Sequence, residues 1–293
     1  MTNGFISING QIQESSIPVL TAFDASFLYG FGVFETLRIY NGVPFMLQEH
    51  VERMKSAAFK LKIPFEHYYL KIGAYVQGLI DYAQLKECVA RITLSKESED
   101  SSNIILTYRK LNYEQSSYKK GFMLKCSSVK RNPTTPLVYM KTNNYMENLI
   151  EKNLAMSEGF NEALFLNIYN HVSECSTSNI FLVQDRKLCT PAVECGLLDG
   201  IARGLLSSKL VGETGLEMEM GKYSLENLYN ADEVFITNSV MQIMPVVEID
   251  NTKIGNGIPG SITKSLMAAY DTYVEEYVRE AKHKIKLFYS TQL

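Results

Sequence analysis

Residues Asn170-His171-Val172-Ser173-Glu174-Cys175-Ser176-Thr177-Ser178-Asn179 place seven hydroxyl, amide or acid groups within ten positions. Apolar runs that read as strands, 163–168 and 179–183, flank this segment. An ordinary hairpin needs only a few turn residues. Polar chemistry this dense between two apolar strands therefore points to a binding site carried on a turn.

Three other polar segments share that character. Lys141-Thr142-Asn143-Asn144-Tyr145 lies where a strand gives way to a helix expected over 144–157. Gly196-Leu197-Leu198-Asp199-Gly200-Ile201-Ala202-Arg203 is a glycine-bracketed entry into a helix, with Asp199 expected as its N-cap. A helix start presents free N–H groups and a positive dipole end, which suit a phosphate. Thr237-Asn238-Ser239 follows a strand expected over 233–237 and brings small polar groups that can reach the same anion.

Upstream, residues 5–11 read as a hairpin around Asn9-Gly10, and a strand over 33–40 ends at Asn41-Gly42. Leu47, Val51, Met54, Ala58 and Leu61 recur at spacings of four, three, four and three, one face of a helix that Pro64 stops. A second helix is expected over 70–83, then antiparallel strands 89–95 and 103–108. The stretch 110–121, with two serines and three lysines, follows neither period and reads as an interdomain link. This predicts an N-terminal α/β domain 1–113, a linker 114–121 and a C-terminal domain 122–293. A strand over 122–128 opens that domain and a helix over 262–284 closes it. Segregated sheets and helices imply an α+β or α/β fold of two layers.

Composition narrows the function. The 293 residues are 46% hydrophobic and 21% charged, with a net charge of −3. That balance excludes disorder and gives no chain-wide basic field for nucleic acid or an anionic membrane. No apolar run approaches the ~20 residues of a membrane span. Met1-Thr2-Asn3-Gly4-Phe5 lacks a signal-peptide pattern, so a cytoplasmic location is expected. Five scattered cysteines without a Cys-x-x-Cys pair and four separated histidines give neither a disulfide framework nor a metal site. Gly30-Phe31-Gly32 lacks the third glycine of a dinucleotide fingerprint, and no P-loop lysine is present. An enzyme or binder of a small molecule remains.

The ordered blocks Tyr29-Gly30-Phe31-Gly32-Val33-Phe34-Glu35-Thr36-Leu37-Arg38, Val172-Ser173-Glu174 with Ser176-Thr177-Ser178-Asn179-Ile180-Phe181, Thr190-Pro191 with Gly196-Leu197-Leu198, and Ile254-Gly255-Asn256-Gly257 resemble the class IV (fold type IV) pyridoxal-phosphate enzymes nearly end to end. That family includes branched-chain and D-amino-acid aminotransferases and 4-amino-4-deoxychorismate lyases. The resemblance implies a smaller N-terminal α/β sandwich domain, a larger C-terminal domain with a barrel-like β core, and a homodimer.

It also implies roles. Lys141 would hold pyridoxal 5'-phosphate through its ε-amine, which must be neutral to react and so needs desolvation or nearby positive charge. Alone, a lysine at such a junction is a solvated surface residue. Glu174 would pair with the protonated pyridine nitrogen; its plain reading is a turn glutamate. Tyr145 would hydrogen-bond the cofactor's phenolic oxygen, or simply pack its ring. Arg53, three residues after His50 on one helix face, would bind the phosphate as a planar fork, or be an exposed helix charge. The N–H groups of Ile201 and Ala202, the Ser239 hydroxyl and Asn238 would complete the phosphate cup. Ala202 stands where threonine is frequent, which removes one hydroxyl. Cys175 reads as a small packing residue.

The substrate is read from Tyr29, Thr36 and Arg91. Branched-chain aminotransferases usually carry glycine at the Thr36 position and D-amino-acid aminotransferases an apolar residue, whereas the lyases resemble this chain's Phe34-Glu35-Thr36-Leu37-Arg38. A hydroxyl there can relay or hold a proton beside Lys141. Thr36 is equally a common strand residue, and Arg91 is either a carboxylate ligand or a solvent-facing strand residue. After strand 89–95 comes Ser95-Lys96-Glu97-Ser98-Glu99-Asp100 in place of the Arg-x-His carboxylate trap of the D-amino-acid enzymes, and its acids would repel a carboxylate. The expected activity is 4-amino-4-deoxychorismate lyase, giving 4-aminobenzoate and pyruvate for folate synthesis. The alternatives are a branched-chain, D-amino-acid or (R)-amine transaminase, and a non-catalytic pyridoxal-phosphate-binding relative.

Overall fold

The computed structural model of the chain describes residues 4–290. The chain forms two compact units. One comprises Met1–Asn112, Lys141–Asn144 and Thr272–Leu293; the other comprises Tyr113–Met140 and Tyr145–Asp271.

The first unit is built on a six-stranded antiparallel sheet. Its strands are β1 (Phe5–Ile8), β2 (Gln11–Glu14), β3 (Gly32–Tyr40), β4 (Val43–Pro44), β5 (Cys88–Lys96) and β6 (Ser102–Arg109), in the order β2-β1-β6-β5-β3-β4. The Asn9-Gly10 signal is a two-residue hairpin turn, with Ile8 opposite Gln11. Four helices belong to the same stretch: α1 (Ala25–Tyr29), α2 (Leu47–Lys60), α3 (Glu66–Tyr69) and α4 (Ile72–Tyr82). The helix expected over 70–83 is α4, and the short α3 precedes it. The period-2 alternation of β3 drives Val33, Leu37 and Ile39 into the core. The apolar stripe of α2, with Val51, Met54 and Ala58 buried, packs on β3. Glu35 is the exception on that inward face: an acid only 1% exposed.

Extended backbone 141–143 adds to the edge of β3. Val33 bridges Thr142 in antiparallel register, the Phe34 N–H donates to the Lys141 carbonyl at 2.9 Å, and the Asn143 N–H donates to the Gly32 carbonyl at 2.9 Å. This pairing sets Lys141 opposite Phe34, on the outward face of β3.

The second unit carries α5 (Gln115–Lys120) and α6 (Met146–Ser157), and a nine-stranded mixed sheet. The strands are β7 (Phe122–Cys126), β8 (Glu162–Leu166), β9 (Val172–Cys175), β10 (Asn179–Gln184), β11 (Lys187–Pro191), β12 (Glu217–Gly221), β13 (Glu233–Asn238), β14 (Gln242–Ile249) and β15 (Thr252–Lys253). The order is β12-β11-β10-β13-β14-β7-β8-β9, with β15 beside β14. β9 ends this order, yet a three-residue turn joins it to β10, and the Cys175 N–H donates to the Ser178 carbonyl at 2.8 Å. The sheet must therefore curl back on itself, around Leu124, Leu164, Val172, Ile180, Leu182, Ile236 and Met244.

The segment expected as an irregular linker over 114–121 is mostly the helix α5, grouped with the second unit. The last helix runs Ser261–Ser290, and its residues from Thr272 onward group with the first unit.

The helix after Gly196 begins one residue later than Asp199 suggests. α7 (Ile201–Leu205) has Gly200 as its N-cap and continues through a π-turn, Leu206–Leu210, into α8 (Val211–Thr214). Asp199 is not the cap: its Oδ1 accepts from Arg203 Nη1 at 2.6 Å. That bond answers why an acid is tolerated here, since the arginine neutralises it. Gly200 is held by space. A Cβ there would lie 2.1 Å from Asn179 Oδ1, and Asn179 Nδ2 is already tied to the Leu198 carbonyl at 2.8 Å. Gly200→Ala is expected to cost about 1–3 kcal/mol through this overpacking, read as a lower Tm; an unchanged Tm would refute the clash.

Candidate functional site

In the first unit, Lys141 Nζ lies 4.5 Å from the centroid of the Phe34 ring, and Arg91 Cζ lies 3.6 Å from the same centroid. One aromatic ring thus gathers two cations. Arg91 Nε donates to Thr93 Oγ1 at 3.1 Å, and its Nη2 to Asn143 Oδ1 at 3.4 Å. Thr36 is half-buried, stands opposite Arg91 across β3 and β5, and shares the outward face with Phe34. The register therefore groups Lys141, Thr36 and Arg91 on one sheet face. Tyr29, the last residue of α1, is 69% exposed.

Arg53 belongs to another set, on the helix-covered side of β3. Its Nε donates to Glu35 Oε1 at 2.8 Å and its Nη2 to Glu35 Oε2 at 2.6 Å, a bidentate pair. His50 Nδ1 meets the same Oε2 at 2.7 Å. Burial opposes ionisation of Glu35, but the arginine charge and these hydrogen bonds outweigh it and hold the carboxyl down at about 2. Burial, with help from the Arg53 and Lys141 charges, lowers the His50 pKa despite Glu35. A neutral His50 donating from Nδ1 leaves Nε2 as a lone pair, and that buried atom has no partner among the described residues. Glu35 and His50 were not assigned roles from sequence. The signal was present, as an acid on the apolar alternation of β3.

In the second unit, Glu174 sits on β9, 9% exposed, and its Oε2 accepts from the Leu198 N–H at 3.1 Å. Arg131 Nη2 lies 3.8 Å from Glu174 Oε1, while its Nη1 donates to Glu147 at 2.7 Å and its Cζ lies 3.9 Å from the Phe165 ring centroid. Arg131 is 6% exposed and brings a counter-charge to the buried Glu174. Nothing in the period of its surroundings marks it out from sequence.

Tyr145 is the N-cap of α6, and its hydroxyl donates to the Ser176 carbonyl at 2.8 Å. Asn148 donates to the same carbonyl at 2.6 Å, so that acceptor stays occupied if Tyr145 turns away. Burial, then the nearby Glu174 charge, pushes the Tyr145 phenol well up, and it stays protonated at neutral pH. The turn after Glu174 is pinned from below by buried Glu162, which accepts from the Ser176 hydroxyl, from Thr177 Oγ1 at 2.6 Å and from Lys152 Nζ at 3.1 Å. Cys175 is buried and its thiol is pushed far up by burial, which suits packing and not nucleophilic attack.

Ile201 and Ala202 open α7, where the first N–H groups have no intrahelical acceptor. Asn238 is consumed as a brace. Its Oδ1 accepts from the Val240 and Met241 N–H groups at 2.9 and 2.8 Å, and its Nδ2 donates to the Thr177 carbonyl at 3.0 Å. This ties the β13–β14 turn carrying Ser239 to the turn carrying Glu174. No described residue takes up the Ser239 hydroxyl.

The family model for class IV amino-transferases matches residues 32–249. The chain is 30% identical over 286 residues to the aminodeoxychorismate lyase of Bacillus subtilis, covering 94% of this chain and 96% of that one. It is 27% identical over 270 residues to the D-alanine aminotransferase of Bacillus licheniformis, covering 90% and 95%. The solved branched-chain amino acid aminotransferase of Escherichia coli superposes with a TM-score of 0.84 at 26% identity, over 92% of this chain and 93% of that one. No described helix is long and apolar enough to cross a membrane. The chain belongs to the class IV aminotransferase family, whose cofactor is pyridoxal 5'-phosphate.

Proposed function

We infer that the protein is a 4-amino-4-deoxychorismate lyase, which eliminates pyruvate from its substrate and leaves 4-aminobenzoate for folate synthesis. One observation carries the reading. Thr36 puts a hydroxyl on the outward face of β3, opposite Arg91 and next along from the residue paired with Lys141. A glycine or an apolar side chain at that position would hold no proton. The acids Glu97, Glu99 and Asp100 occupy the β5–β6 connection, so a carboxylate trap there is disfavoured.

The residues present fit pyridoxal phosphate. Lys141 would bring the amine, anchored Glu174 would suit a protonated pyridine nitrogen, and the N–H groups of Ile201 and Ala202 at the start of α7, with the Ser239 hydroxyl, would suit a phosphate. Arg53, clamped by Glu35, would bind the phosphate. Bound, the cofactor supplies an electron sink for the carbon carrying the substrate's nitrogen. Glu174 would pair with the protonated ring nitrogen, with Arg131 3.8 Å from the same carboxylate. The Lys141 amine takes the proton from the ring carbon that bears the substrate's nitrogen, and Thr36 holds or relays it. Tyr145, kept protonated by burial, would donate to the phenolic oxygen. Arg91 pairs with a carboxylate. Loss of the enolpyruvyl oxygen makes the ring aromatic, which drives the elimination.

The test is formation of 4-aminobenzoate and pyruvate in equal amounts from 4-amino-4-deoxychorismate. No turnover by a cofactor-loaded enzyme would sink the reading. Similarity to aminotransferases supports the second reading, and a panel of amino acids with keto acids checks it. Glu174→Gln is expected to lower turnover by about 10²-fold or more while cofactor stays bound; undiminished turnover would remove Glu174 from its role.

A cytoplasmic homodimer is part of the same proposal. Met146, Leu149, Ile150 and Leu154 recur at helical spacing along α6 and are 74, 50, 49 and 52% exposed, an apolar stripe that a second copy would cover. Ile150→Glu is expected to shift the sedimenting species from dimer to monomer. A wild-type monomer would refute the assembly.

A further inference from the structure

Glu162 is a buried acid to which the proposed chemistry gives no task. It begins β8, is 1% exposed, and by the period-2 alternation shares a face with Leu164 and Leu166 of the apolar core. An apolar side chain would continue that pattern, and a buried carboxylate is costly unless it is well paired. Glu162 accepts from the Ser176 hydroxyl, from Thr177 Oγ1 at 2.6 Å, from Lys152 Nζ at 3.1 Å and from the Ala163 N–H at 3.1 Å. Burial alone would lower the Lys152 pKa; the charge of Glu162, chiefly, raises it instead, so the pair is ionic.

Two of these donors belong to the turn that follows Glu174. β8 and β9 pair with Leu164 opposite Cys175, and the Ser176 N–H donates to the Ala163 carbonyl at 2.9 Å. The same register continued sets Glu162 across from Thr177. The carbonyls of the turn are held by other residues. That of Ser176 accepts from Tyr145 and Asn148 at 2.8 and 2.6 Å. That of Thr177 accepts from Asn238 at 3.0 Å, and Asn238 braces the loop carrying Ser239. The hydroxyls of the turn thus go to Glu162, and its carbonyls go to residues at or beside the proposed cofactor contacts. A shift of the turn would carry Glu174, Tyr145 and Asn238 with it.

We propose that Glu162 is a positioning residue for the cofactor: it fixes the Ser176–Thr177 turn, and through that turn holds Glu174 and Tyr145 at the ring and the Ser239 hydroxyl at the phosphate. The inference rests on the cofactor contacts proposed above and not on the lyase chemistry. A glutamine at 162 would offer one acceptor oxygen where two are used, and would turn an NH2 group toward donors. The turn would then lose at least one of its anchors.

The test follows release of pyridoxal phosphate from the loaded enzyme after dilution, by loss of its visible absorbance. Glu162→Gln is expected to speed release by about 10- to 100-fold, the equivalent of one hydrogen bond to a charged group. The effect should depend on the residues through which Glu162 acts. In a Glu174→Gln, Ser239→Ala background the same change should speed release by less than about threefold, because the contacts it governs are already gone. A merely structural acid would give equal acceleration in both backgrounds, and that result overturns the inference. So does release from Glu162→Gln within twofold of wild type, or a Glu174→Gln, Ser239→Ala enzyme that keeps its cofactor as long as the wild type. Should Glu162→Gln not fold, Ser176→Ala combined with Thr177→Val removes both hydroxyls and leaves the Glu162–Lys152 pair. The same acceleration is expected there, and unaltered release refutes the role. No substrate enters these measurements, so failure to turn over 4-amino-4-deoxychorismate would sink the lyase reading and leave the role of Glu162 standing.

Discussion

Lys141→Ala is expected to release 4-aminobenzoate and pyruvate at less than about one-thousandth of the wild-type rate, from the loss of both the cofactor-bonding amine and the general base. The expectation is specific because the position is over-determined. Backbone hydrogen bonds on either side of Thr142 register residue 141 opposite Phe34, and the side chain then lies over that ring. Alanine keeps this extended backbone and removes only the amine, so Tm should barely change. The wild type should show the visible absorbance of lysine-bound cofactor and the variant should not. Full activity in Lys141→Ala would remove Lys141 from the chemistry and with it the proposed function.

Glu35→Ala is expected to destabilise the protein by about 3–5 kcal/mol, the cost of stranding one partner of a buried ion pair. The arginine loses both bonds of its bidentate clamp, and His50 loses the acceptor for its Nδ1–H. Glu35→Gln should cost less, because the amide oxygen still accepts. The wild type carries the matching pH dependence. The Glu35 carboxyl sits at about 2 in the fold against an ordinary 4.5, so its contribution is complete above 4.5 and is lost as pH falls toward 2. That interval corresponds to about 3 kcal/mol. His50 acts in the same direction: its pKa is lowered from 6.5 in the fold, so the unfolded chain takes up that proton first as the solution is acidified below 6.5. Urea titrations from pH 7 to pH 2 should show stability declining below 6.5 and more steeply below 4.5, with the steeper limb missing in Glu35→Ala. A wild-type curve flat across that lower range would refute the buried pair. If Glu35 also fixes Arg53 for a phosphate, the variant's cofactor dissociation constant should rise as well.

Much of the fold was legible because local rules and tertiary context agree. The Asn9-Gly10 and Asn41-Gly42 turns, the stripe of α2 and the alternation of β3 each bury one face, and no other register buries as much. The polar segment at 170–179 stood out because satisfied polar groups cluster only where something holds them; here Glu162 and Asn238 do. Other features were not legible. Asp199 resembles an N-cap by type, but an arginine one turn on competes for its carboxylate and wins. The stretch 115–120 has no apolar period, yet it is helical, with its half-buried Tyr118 hydroxyl bonded to the Met241 carbonyl at 3.0 Å.

The order of blocks from Tyr29 to Gly257 was enough to place the chain in its family and to propose Lys141, Tyr145, Glu174 and the glycine-bracketed start of α7 for its site, since both depend on residue type and on position along the chain. Which side chains act on one another was decided only by tertiary structure. Glu35 takes Arg53 and His50, although 18 residues separate it from the arginine. Arg131 meets Glu174, and Glu162 takes Lys152. The physical reason is that a charge is tolerated in a low-dielectric interior only with its counter-charge beside it, and which counter-charge arrives depends on how the strands pair and not on how close the residues are in sequence.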